Sequence, residues 1–150
     1  MIADVMHIGL TVRDLDRSIA FYRDILGFTY RGQLVMEGPA ADAIFGRPDS
    51  RARVAYLCGG KDLTSPPVEL IQFTEHRPET QRTDLFRTSV SEICFVTDDI
   101  QREYERLTAL GVEFISAPQT FDFTADGFGR SRAVYLRDPD GIILELMQPL

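Results

Sequence analysis

The chain has 150 residues, a length that suits one compact domain, with 44% hydrophobic and 26% charged residues. Its formal net charge of −7 argues against nucleic acid or an anionic membrane as a main partner, because both reward basic patches. The two cysteines, Cys58 and Cys94, match no CxxC spacing and read as buried, unpaired thiols of a reducing compartment. The first residues, MIADVMHIGL, lack the basic region and long apolar run of a signal peptide, so a cytoplasmic location is expected.

In chain order, the first expected element is a strand over 5–12, in which Ile8, Leu10 and Val12 share one face and His7, Gly9 and Thr11 the other. A helix of about eleven residues follows, with Leu15, Ile19 and Tyr22 on one face, Asp14 as its N-cap and Gly27 as its stop. Strands are expected over 28–37, 51–58 and 67–73. The stretch 38–50 holds a short helix bounded by Gly and Pro, and CGGKDLTSPP forms a loose connection. A polar linker spans 75–90, and His76 within TEHRPE reads as solvated.

The second part repeats the first. Residues 92–100, EICFVTDDI, align with 7–15, HIGLTVRDL, at an offset of 92 − 7 = 85, pairing Ile8 with Ile93, Leu10 with Phe95, and Asp14 with Asp99. LELMQP (144–149) aligns with VELIQF (68–73), and Val134-Tyr135-Leu136 with Ala55-Tyr56-Leu57. The expected elements are strands over 91–97, 112–116, 131–137 and 142–148, with a helix capped by Asp99 and stopped by Gly111. DPDG (138–141) is a tight hairpin. APQTFDFTADGFGR (117–130) reads as a long loop. The fold class is therefore α+β, with two βαβββ modules, 1–74 and 91–150.

Glu69 and Glu145 stand at matched places in apolar strands, where an ionised carboxylate costs several kcal/mol unless compensated. One anomaly is an accident; the same one in both copies suggests a shared purpose. A divalent cation between the halves would explain both, and His7 and Glu92 stand at the matched place in the first strand of each half.

These motifs, HIGLTVRDLDRSIAFYRDILGF, VELIQF, ICFVTDDI and YLRDPDGIILELMQP, resemble those of the vicinal oxygen chelate superfamily. That group includes glyoxalase I, methylmalonyl-CoA epimerase, extradiol dioxygenases and the bleomycin resistance proteins. The resemblance implies an eight-stranded open cup around one metal ion (Mn, Fe, Ni, Mg or Zn), a small-molecule substrate and a homodimer. His7, Glu69 and Glu145 match the ligand pattern of glyoxalase I and epimerase relatives; Glu92 departs from it, because the usual residue there is His. Three carboxylates against a doubly charged ion leave one negative charge in excess, which favours hard ions and isomerase or lyase chemistry.

Glu145 or Glu92 is the expected proton-moving group. Phe121, Phe123 and Phe128 would wall the substrate pocket, and Arg130 would clamp an anionic group. Two alternatives are a non-catalytic protein that sequesters a flat aromatic ligand and a ring-cleaving dioxygenase. The latter resembles a site with two histidines and one carboxylate, whereas this chain offers one candidate His.

Overall fold

The computed structural model describes residues 5–59, 67–79 and 82–150. The chain divides into two compact units, 1–80 and 81–150. Each contains an open four-stranded mixed sheet, as expected for two βαβββ modules.

In the first unit β1 (Ile8–Thr11) leads into α1 (Leu15–Ala20), which runs on as a π-helical turn, Phe21–Ile25. Then come β2 (Thr29–Glu37), α2 (Pro39–Phe45), β3 (Arg51–Cys58) and β4 (Val68–Phe73), in sheet order β1-β4-β3-β2. In the second, β5 (Ile93–Val96), α3 (Ile100–Ala109), β6 (Gln119–Phe123), β7 (Gly129–Arg137) and β8 (Ile143–Pro149) give the order β5-β8-β7-β6. The first and last strands of each unit pair in parallel, Ile8 with Val68 and Ile93 with Leu144.

The duplication is visible in the local chemistry. Asp14 and Asp99 each accept the backbone N–H three residues on, at 3.0 Å, which caps α1 and α3. Gln72 of β4 and Gln148 of β8 do a matched job the sequence reading did not assign. Gln72 accepts from the backbone N–H of Leu15 at 3.2 Å and donates to the carbonyl of Arg13 at 3.2 Å. Gln148 accepts from Ile100 at 3.1 Å and donates to Asp98 at 2.8 Å. Each glutamine thus ties the first turn of its helix to the last strand of its sheet. Beneath the helices lie Val12, Leu15, Tyr22, Leu57 and Leu70 in one unit and Ile100, Leu107, Leu136 and Leu144 in the other, all at most 1% exposed.

Several expectations are corrected. The sixth strand is not 112–116: Phe114 makes only an isolated bridge to Leu136, and the strand is Gln119–Phe123, inside the segment read as a loop. Alternation of Phe121 and Phe123 with Thr120 and Asp122 suits a pleated edge, and the Gly-rich sequence after it obscured that signal. Of the stretch read as a linker, Thr83 is docked on the second unit. Its hydroxyl donates to the Gly141 carbonyl at 3.0 Å and accepts from the Ile143 N–H at 2.8 Å. Cys58 is buried, but Cys94 is exposed, because strand alternation turns it away from the helix side. Most of the CGGKDLTSPP connection lies outside the described residues. Among the described residues no helix is long and apolar enough to cross a membrane.

Candidate functional site

In the first unit β4 places Glu69 between two neighbours on the face away from the helix, Gly9 of β1 and Tyr56 of β3. Glu69 is 8% exposed, yet among the described residues no Lys or Arg pairs with it. The Tyr56 hydroxyl donates to its Oε1 at 2.5 Å, and His7 Nε2 stands 3.2 Å from its Oε2. The rings of His7 and Tyr56 meet edge to face, 6.1 Å between centroids. The hydrogen bond to Glu69, then burial, then the carboxylate's charge push the Tyr56 phenol up to about 12. A side chain at Gly9 would sit 3.3 Å from Glu69 Oε2, so the missing Cβ gives the carboxylate its room.

The second unit repeats this register with one change. Glu145 of β8, also buried, lies between Cys94 of β5 and Tyr135 of β7. Cys94 occupies the place of Gly9, directly across from Glu145. Partial loss of solvent, hydrogen bonding toward Glu145 and the charges of Glu145 and Glu92 push the thiol up to about 12. Burial first, then the charges of Glu145 and Glu92, raise the Tyr135 phenol as well. Glu92, half-buried just before β5, therefore shares the electrostatic neighbourhood of Glu145.

A cavity of about 290 Å³ opens on this face, lined by Glu145, Tyr135, Met147, Phe121 and Phe123 among others. The last two rings stack, 5.8 Å between centroids and 9° apart. No cationic side chain lines it. Of the residues expected to hold substrate, Phe121 and Phe123 are here. Phe128 is 86% exposed and not part of the wall. Arg130 pairs with Asp122 at 3.5 Å and falls on the opposite face of the sheet, by alternation from Ser131.

Two ligands in adjacent positions of an octahedral ion with bonds of about 2.1 Å stand roughly 3.0 Å apart. The 3.2 Å between His7 Nε2 and Glu69 Oε2 fits such a pair, and a buried carboxylate without a cationic partner fits a dication. Among the described residues no group of three or more His, Cys, Asp or Glu is spaced to hold an ion; the first unit offers a two-ligand half. Tyr56 and Tyr135 are not marked as site residues by composition or periodicity. The matched AYL and VYL segments carried that signal, but only the register shows each tyrosine lying across from a glutamate.

Known structures share this architecture. A glyoxalase family protein from Bacillus cereus superposes with a TM-score of 0.85 at 20% identity, covering 100% of this chain and 96% of the other. The trypanothione-dependent glyoxalase I of Leishmania major superposes with a TM-score of 0.67 at 20% identity, over 97% and 86% of the two chains. At such identities the likeness concerns the fold. In sequence, a 2-epi-5-epi-valiolone epimerase from Actinomyces sp is 29% identical over 151 residues, spanning 95% of this chain and 78% of that protein. The sequence profile of the Glyoxalase/Bleomycin resistance protein/Dioxygenase superfamily matches residues 5–146, and the chain belongs to that superfamily.

Proposed function

We propose that this protein is a divalent-metal-dependent lyase or isomerase of the glyoxalase and epimerase type, acting on a small carbonyl compound. One observation carries the reading. Two buried glutamates, Glu69 and Glu145, hold equivalent register positions in duplicated sheets, and among the described residues the groups that meet them are neutral or weakly basic. Their negative charge is left for a dication to offset.

His7 and Glu69 would hold the ion from one unit, and Glu145 with Glu92 from the other. When bound, the ion would supply Lewis acidity to a substrate oxygen. The chain's own contributions are then distinct. Phe121 and Phe123 bind an apolar part of the substrate and exclude water. Tyr56 fixes the orientation of Glu69. Glu145, facing the cavity, takes and returns the proton, with Glu92 as its neighbour. The epimerase relative, whose name denotes inversion of a carbon centre, fits that proton chemistry.

Metal content of protein purified without chelator tests the reading. A stoichiometric divalent ion in the wild type, lost in both Glu69→Gln and Glu145→Gln, is expected. Mixing refolded His7→Ala and Glu145→Gln chains then reports how the halves meet. If two copies build each site, random pairing restores roughly a quarter of the metal retention; if one chain does, nothing returns.

The apolar cavity favours one second reading, a protein that sequesters a flat aromatic ligand without chemistry. Metal-free protein that binds such a ligand equally well as wild type and as Glu145→Gln would select it.

A further inference from the structure

A second cavity, of about 480 Å³, lies wholly in the first unit. Its wall combines two arginines, Arg47 and Arg77, with His76, and Glu79 is the acid among its described lining residues. The chain as a whole carries a net charge of −7, so this is a local reversal of sign. The arginines on nearby strands are paired, Arg51 with Glu37 and Arg53 with Asp16. Arg47 and Arg77 have no ion pair among the described residues. His76 is half-buried where its polar sequence context suggests a solvated side chain, and its Nε2 is buried without a hydrogen-bond partner among the described residues. An imidazole nitrogen in that state lacks an acceptor or donor that the surrounding protein does not provide. Beside these groups Phe45 of α2 and Phe73 of β4 meet edge to face, 5.0 Å between centroids, and form an apolar wall.

We propose that this cavity is a binding site for an oxyanion carried on an aromatic or similarly flat apolar body, an aryl carboxylate being the simplest case. Guanidinium groups suit a carboxylate because their fork of donors matches its two oxygens. His76 adds a donor, and the Phe45–Phe73 pair receives the ring. The site is separate from the His7–Glu69 pair. Thr11 and Phe73, which line it, lie four residues further along β1 and β4, about 13 Å at 3.3 Å per residue. It therefore stands or falls without the metal reading.

The test is an NMR titration of the full chain, kept metal-free with chelator, using benzoate and inorganic phosphate as probes. Benzoate is expected to shift the side-chain signals of Arg47, Arg77 and His76 and the ring signals of Phe45 and Phe73 along one saturable curve. Arg47→Gln with Arg77→Gln should weaken it at least tenfold, while Arg47→Lys with Arg77→Lys should keep part of the affinity. Phosphate should bind several-fold more weakly than benzoate, and Phe45→Ala should erase that preference. Absence of saturable shifts, shifts that map elsewhere, or unchanged affinity in the double Gln variant would overturn the site. Equal affinity for phosphate and benzoate in the wild type would overturn the aromatic requirement.

Discussion

Replacing Tyr56 by Phe removes one oxygen and leaves the ring packing in place, so it isolates the hydrogen bond to Glu69. In the metal-free protein Glu69 Oε1 then loses its donor while remaining buried. A hydrogen bond to a charged group contributes about 1.5–3 kcal/mol. The phenol's rise from 10.0 to about 12 sets a ceiling of roughly 2.7 kcal/mol by linkage. Solvent screening at this half-buried ring brings that toward ~1.5 kcal/mol. At roughly 2–4 °C per kcal/mol for a chain of this size, Tyr56→Phe should lower Tm by about 3–6 °C.

The folded phenol titrates above the unfolded one, so its contribution is complete below pH 10 and is lost as pH rises toward 12. The gap between wild type and variant should therefore be constant from pH 7 to 9 and narrow above about 10. Urea melts in chelator over that range measure it, and absorbance near 295 nm should show one late-titrating tyrosine fewer in the variant than in the wild type. A variant as stable as wild type at neutral pH, or a gap that does not close in alkali, would refute the assignment of Tyr56 as the donor that stabilises buried Glu69.

Three further outcomes are expected. Asp14→Ala and Asp99→Ala each remove an N-cap and should cost about 1 kcal/mol, read from thermal melts and additive in the double variant because the caps lie in different units. Leu57→Ala and Leu136→Ala, both at fully buried matched positions, should each cost about 2–5 kcal/mol in denaturant melts. In metal-free protein the exposed Cys94 should react slowly with iodoacetamide near pH 7.5, because its thiol is held up to about 12. Glu145→Gln removes a negative charge beside it and should speed that labelling several-fold by mass spectrometry.

The fold was legible wherever a local rule and the repeat spoke together. The caps Asp14 and Asp99 and the matched burial of Glu69 and Glu145 follow from residue type plus the offset of 85 or 76. What failed had only one of the two. β6 has no counterpart motif in the first half, and its alternating TFDF is too short to stand against the glycines that follow. Tyr56 and Tyr135 were aligned, but their partnership with the glutamates depends on cross-strand register, which sequence spacing alone does not determine. Arg47, Arg77 and His76 lie outside regular elements and come together only through the loop after α2 and the exit from β4, where no periodicity operates.

The glutamate and glutamine of β4 and β8 sit three residues apart on the strand and so point to opposite sides of the sheet. One secures the helix; the other faces the candidate site. A slip of a single residue would turn both to the wrong side at once, which makes these strands self-checking. Each is also the last strand of its unit to be synthesised, and each pairs with the first, across 68 − 8 = 60 residues in one case and 144 − 93 = 51 in the other. During translation the opening strand must wait for its mate, and neither unit can complete its sheet early.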